Sequence, residues 1–331
     1  MVPSKIPAAL SAYFAANRPV FLTGPPAVGK SALVAQAAAD AGLPLVDIRA
    51  AQMDPVDLRG LPVLEDGRTC WRVPDFLPSG PCVLFLDELP DAPKLVQSAL
   101  YQLTLDRRLG DYELPAGVQI VAAGNRTTDR AAAGRLSTAL ASRFGHLDID
   151  VSLADWCAWA IGAGVAPEVI AFLRFRPELL HTFDPARNSE SAFPAPRTWH
   201  ILSDVYQSSI LPREIAGEIF AGIVGTGAGG EFAAFLRIWE DLPDIDGILL
   251  SPETAELPKN PSVCYAITGA LGKRASDHTA RALITYAERL GAQVSQEYEL
   301  LLVRDSAARS QEFQKTRAFT TWAVKNGDLL T

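Results

Sequence analysis

The sequence predicts an α/β fold with a mainly parallel sheet, followed by an all-helical second half. Three observations carry this expectation. Strand and helix patterns alternate up to about residue 151, as βα units feeding a parallel sheet do. Beyond that point strand signals nearly vanish and the chain reads as successive helices. Near the start, Gly24-Pro25-Pro26-Ala27-Val28-Gly29-Lys30-Ser31 matches the phosphate-loop pattern GxxxxGK[ST], between a strand-like and a helix-like segment.

In chain order, Ala8–Ala16 is a lead-in helix. Val20-Phe21-Leu22-Thr23 is short, apolar and partly β-branched, as a buried strand requires. Ser31 to Ala39 is rich in helix formers. Strand, glycine-bearing loop and helix together let backbone N–H groups and a helix N-terminus converge on a phosphate. The candidate nucleotide-binding residues are therefore Gly24, Pro25, Pro26, Ala27, Val28, Gly29, Lys30, Ser31 and Ala32. Lys30 would place its charge on the β and γ phosphates, and Ser31 would offer its hydroxyl to Mg²⁺.

Leu45–Ile48 is a second strand. Residues 53–80 are rich in Pro, Gly and Asp, with a polar turn at Glu65–Arg68, so a hairpin near 56–76 is expected, and Asp54 and Asp57 are candidates to cap the helix insertion there. Val83-Leu84-Phe85-Leu86 is a buried strand ending in Asp87-Glu88, where ligands sit in open α/β sheets. Asp87 is placed to reach Mg²⁺ through water, and Glu88 to orient and polarise an attacking water. A helix over 93–107 and a hairpin near 107–118 follow. Gln119–Ala123 is another buried strand, leading to Gly124-Asn125-Arg126. A helix through Ser137–Leu140 runs into Arg143-Phe144, and His146–Val151 is the fifth strand.

Helices are expected over 154–162, 167–180, 197–209 and 212–225, a hinge at Gly225–Gly230, a long loop over Asp244–Pro261, and helices again from 261 to 326. Trp156, Trp159, Phe172 and Phe175 have core spacing. His181 and His200 have no ligand partners at metal spacing and are read as structural. Trp71, in the first hairpin, is either packing or an exposed grip on a substrate.

The 331 residues are enough for two or three subdomains, and their 48% apolar and 21% charged content is ordinary for a soluble globular protein. A net charge of −8 argues against a broad nucleic-acid surface. Cys70, Cys82, Cys157 and Cys264 form no CxxC pair, so buried free thiols are expected. No apolar run of about 18 residues and no apolar signal core is visible, so no membrane partner and a cytoplasmic location are expected.

Five features together resemble the AAA+ ATPases, and within them the MoxR group: the loop at 24–31, the strand at 83–88, Asn125, Arg143-Phe144, and Pro194-Ala195-Pro196-Arg197-Thr198-Trp199. Asp57-Leu58-Arg59-Gly60-Leu61-Pro62 with its hairpin resembles a MoxR-type insertion. The resemblance covers roughly 5–225, and Ala27 stands where many relatives carry glycine. It implies a P-loop core over 1–151 with a five-stranded parallel sheet, an all-α lid over 152–228 and an all-α C-terminal region over 229–331. It implies Mg²⁺-dependent ATP hydrolysis, with Lys30, Glu88, Asn125, Arg143 and Arg197 as catalytic residues. Asn125 would be sensor 1, Arg143 the arginine finger of a neighbouring site (Arg135 being the rival) and Arg197 sensor 2. An arginine is poorly placed at a helix N-terminus unless an anion sits there. The resemblance further implies a homo-oligomeric ring, a hexamer, that remodels a protein client or a von Willebrand factor A-type partner. Two alternatives stand beside this. A nucleic-acid motor (loader, packaging or restriction type) would use Arg59, Arg68 and Arg72 to line a basic pore. A non-hydrolysing switch is disfavoured by the presence of Glu88 and Asn125.

Overall fold

The structure, a computed structural model, describes residues 1–129, 134–184 and 192–327. Parts of the expected lid (185–191) and C-terminal region (328–331) lie outside the described residues. The chain divides into two compact units, one built on Met1–Ser152 and the other on Leu153–Thr182 and the described residues from 192 onward.

The first unit runs α1 (Ile6–Ala15), β1 (Val20–Gly24), α2 (Lys30–Asp40), β2 (Leu45–Arg49), α3 (Pro55–Arg59), β3 (Leu61–Glu65), β4 (Arg68–Arg72) and β5 (Val83–Asp87). It continues with α4 (Lys94–Asp106), β6 (Arg108–Leu109), β7 (Tyr112–Glu113), β8 (Gln119–Asn125), α5 (Thr138–Ala141) and β9 (Gly145–Asp148). Five strands form one parallel sheet in the order β2-β5-β8-β1-β9, as the strand–helix alternation predicts. Every residue of β5 is buried, which is why it reads as a continuous apolar run rather than an alternating one. Its side chains still alternate between faces: Leu84 and Leu86 join a core with Val96, Leu100 and Leu103 of α4, whereas Val83 and Phe85 join Leu10 of α1 and Val34 of α2.

Two small hairpins stand apart from this sheet. β3 and β4 pair through Asp66-Gly67, both at positive φ (51° and 73°), the backbone a tight hairpin needs. Gly60 opens this hairpin with φ +78°, where a Cβ would fall 1.8 Å from the Arg72 carbonyl oxygen, so no other residue fits. The Asp54 N–H donates to Asp57 Oδ2 (2.8 Å) ahead of α3. The second hairpin pairs β6 with β7.

The second unit is helical throughout its described residues: α6 (Leu153–Gly162), α7 (Pro167–Phe175), α8 (Pro196–Tyr206), α9 (Ala216–Val224), α10 (Thr226–Glu240), α11 (Ile245–Leu250), α12 (Pro261–Gly272), α13 (Ala280–Gln293), α14 (Gln296–Arg309), α15 (Gln311–Gln314) and α16 (Arg317–Lys325), with short 3₁₀ turns between. Its first core is aromatic: Phe172 and Phe232 each contact Trp199, and Phe220 contacts Phe232. A second core gathers Leu271, Tyr286, Leu302, Phe313 and Trp322.

Several sequence expectations need correction here. The glycines of the expected hinge lie mostly inside α10. Gly229 is there for close packing, since a Cβ would fall 2.6 Å from the Ala221 nitrogen of α9. The expected loop over 244–261 contains α11, which Asp244 caps by accepting from the Asp246 N–H (3.1 Å). Trp159 is 48% exposed, its ring edge-on to His200, because the buried face of α6 is formed by Trp156, Cys157, Ala160 and Ile161 and Trp159 falls outside it. Cys70 is exposed because β4 is, while the other three thiols are buried.

Candidate nucleotide site

The strand register builds the site. Gly24 at the end of β1 pairs with Asn125 at the end of β8, so the phosphate loop and the candidate sensor leave the sheet side by side. Gly29 takes the left-handed conformation (φ 96°) that turns the loop into α2, and a Cβ there would meet no atom within 4 Å. Ala27 also has positive φ (59°), so the position where relatives carry glycine does demand unusual backbone. The N-terminus of α2 has no capping side chain and no acidic residue in its first turn, leaving its positive end open to an anion.

Lys30 Nζ donates to the carbonyl oxygens of Gly24 and Pro25 and to Asn125 Oδ1, each at 2.9 Å. Two residues 95 apart in sequence are thus joined at one charge. Ser31 Oγ donates to Asp87 Oδ2 (3.0 Å), and Asp87 Oδ1 accepts from the Glu88 N–H (2.9 Å). Asp87 is 8% exposed, so its carboxylate is fixed at both oxygens in a nearly dry place. Glu88 has positive φ (56°), a conformation that costs about 1–3 kcal/mol and is kept where the surroundings demand it. The set of hydroxyl, carboxylate and helix N–H groups around Lys30 suits a polyphosphate with a hard, oxygen-seeking divalent cation. On β2, burial raises the Asp47 carboxyl above its ordinary value, and the charge of Asp87 adds to this.

Arg126 was not singled out from the sequence. It donates Nε to Asp148 Oδ1 (2.8 Å) and Nη2 to Asp148 Oδ2, Asp150 Oδ1 (both 2.7 Å) and the Ile149 carbonyl (3.0 Å). These bonds tie the end of β8 to the end of β9 across β1, with Thr23 Oγ1 also donating to Asp148 Oδ1 (3.1 Å). The signal existed in Asp148-x-Asp150, but only the strand order brings it level with Arg126.

Arg143, just after α5, is exposed and donates Nη2 to Tyr101 Oη (3.2 Å). Arg135 is also exposed, and its carbonyl accepts from Lys94 Nζ (2.9 Å). Arg197 belongs to the second unit, exposed in the first turn of α8. There the Ala195 N–H donates to Thr198 Oγ1 (2.8 Å). Trp71 is 44% exposed and lines a cleft of about 240 Å³ with Leu58, Val73, Gln102, Leu109 and Tyr112, between the two hairpins.

Residues 20–147 match the profile of the family described as "ATPase family associated with various cellular activities (AAA)". A search of curated proteins gives no match. Among solved structures, NtrX from Brucella abortus in complex with ATP is similar at 13% identity over 99% of this chain and 68% of that one, with a TM-score of 0.43. The Thermotoga maritima RuvB Holliday junction branch migration motor is similar at 20% identity over 90% of this chain and 85% of that one, with a TM-score of 0.39. The matched segment runs from the first residue of β1 into β9 and so contains the whole lysine–asparagine and serine–aspartate arrangement. The chain therefore carries an ATPase domain of the AAA family and is a P-loop enzyme that hydrolyses ATP.

Proposed function

We propose that this protein couples Mg²⁺-dependent ATP hydrolysis to the remodelling or activation of a partner protein, as a ring of identical subunits of MoxR-like type. The observation that carries the hydrolytic reading is the convergence of Lys30 with Asn125 and of Ser31 with Asp87 at the ends of three adjacent strands. Lys30 neutralises the β and γ phosphates. Mg²⁺, held by the Ser31 hydroxyl and through water by Asp87, would draw further charge from the phosphate oxygens. Glu88 accepts a proton from the attacking water as its oxygen bonds to the γ-phosphorus and the bond to the β-bridging oxygen breaks. Asn125 fixes that water or the γ-phosphate. Arg143 is assigned to the neighbouring subunit's nucleotide and Arg197 to the γ-phosphate, as the resemblance implies.

A polypeptide partner is supported by the first hairpin. β3 and β4 are exposed at nearly every position, with Leu64 80% exposed and Trp71 on the surface. Residues 56–76 carry Asp57, Glu65, Asp66 and Asp75 against Arg59, Arg68 and Arg72, and Arg72 is ion-paired to Glu65. A surface of mixed sign with exposed apolar residues suits polypeptide better than a phosphate backbone.

The test is steady-state ATP turnover against protein concentration with Mg²⁺ present, paired with mass measurement. Turnover per subunit that climbs steeply as the protein assembles is expected. Native-level turnover by a species that stays monomeric would overturn the shared-site ring.

A further inference from the structure

We propose that Tyr101 is a positioning residue for Arg143, holding its guanidinium ready for the neighbouring subunit's nucleotide; this rests on the reading of Arg143 as a finger acting in trans. The backbone of Arg143 is fixed first. Ser137 Oγ accepts from the Leu140 N–H (3.2 Å) and starts α5, and the Arg143 N–H donates to the Leu140 carbonyl (3.1 Å). Phe144 then anchors the segment, buried and tilted against Phe21 at 6.0 Å between ring centroids. None of this orients the side chain, which leaves the core at an exposed position.

Tyr101 supplies the orientation. The Arg143 guanidinium carbon lies 5.7 Å from the Tyr101 ring centroid, within cation–π range, while Nη2 donates to the phenolic oxygen at 3.2 Å. The ring is partly buried against the core face that α4 shares with the sheet, so it is a firm support. An arginine side chain left loose in water must be ordered again at each encounter with a neighbour, whereas one held on an aromatic ring is largely ordered beforehand. The contact also joins the finger to α4, whose next residue, Gln102, lines the cleft between the hairpins.

The experiment measures kcat and KM for ATP in Tyr101→Phe, Tyr101→Leu and Arg143→Ala, each alone and mixed with Glu88→Gln subunits. Tyr101→Leu should lower kcat about tenfold with little change in KM, because misplacing one catalytic group costs turnover rather than ground-state binding. Tyr101→Phe keeps the ring and should lose about threefold or less, the share of one exposed hydrogen bond. Glu88→Gln subunits carry an intact Tyr101–Arg143 pair but cannot turn over. Mixing them with Tyr101→Leu subunits should therefore restore turnover per Tyr101→Leu subunit, which misfolding of that variant would not allow. If Arg143→Ala loses hydrolysis while Tyr101→Leu keeps native kcat or gains, or is not restored by mixing, positioning by Tyr101 is overturned and the finger reading stands. If Arg143→Ala hydrolyses ATP as the native protein does, the finger reading falls, and the role of Tyr101 with it.

Discussion

Lys30 has the most direct consequence at the scale of single residues. Its ammonium is the one cation bonded to both the loop carbonyls and Asn125 among the described contacts, so Lys30→Ala removes the charge proposed to face the phosphates. Equilibrium titration with a fluorescent ATP analogue should show binding lost; tight binding would overturn the loop assignment. Glu88→Gln should keep that binding and lose turnover by about 10²-fold or more, the usual share of a general base. Glu168 of α7 is buried. Burial raises its carboxyl above the ordinary value, outweighing its own backbone hydrogen bond and the charges of Lys273 and Arg309. The folded state therefore favours the neutral acid. Glu168 contributes fully to stability below the unfolded carboxyl range, and that contribution is lost as pH rises through the raised value. Glu168→Gln should raise Tm at pH 7 and leave it nearly unchanged at pH 4. A lower Tm at pH 7 would mean that pairing with Lys273 and Arg309 outweighs burial.

Among elements, α7 and α14 show how the second unit holds together. Arg174 of α7 and Asp305 of α14 form a two-pronged ion pair, Nη1–Oδ2 at 2.5 Å and Nη2–Oδ1 at 2.7 Å, with side chains 13% and 6% exposed. Burial pushes the nearby Cys157 thiol up to about 11, so it stays protonated and inert beside them. Asp305→Ala would leave a guanidinium buried without its carboxylate and should cost about 3–5 kcal/mol in chemical denaturation. A cost under about 1 kcal/mol would show that water or another carboxylate replaces Asp305. The pair was invisible in the sequence, since 131 residues separate its members and no local pattern links them.

For the whole molecule, the decisive expectation concerns subunits acting together. Arg143→Ala should bind ATP normally and lose about 10³-fold in hydrolysis, the scale of an arginine finger. Mixed with Glu88→Gln, whose Arg143 is intact, it should recover activity; two inactive proteins that stay inactive together would place both residues within one self-contained site. The parallel sheet was legible because a buried strand announces itself locally by a run such as Val83–Leu86. The loop was legible for a related reason, since its chemistry lies within eight consecutive residues.

What the sequence determined by itself was whatever is local: the strand and helix periods, the phosphate loop, the carboxylates closing β5, and the hairpin turn at Asp66-Gly67. Tertiary structure decided what depends on register and approach. Strand order brought Arg126 to Asp148 and Lys30 to Asn125. Helix packing, not hinge flexibility, explained Gly229. The choice of buried face on α6 left Trp159 exposed. The physical reason is common to all three. Backbone conformation responds to neighbours a few residues away, whereas side-chain contacts respond to neighbours that only the folded chain assembles.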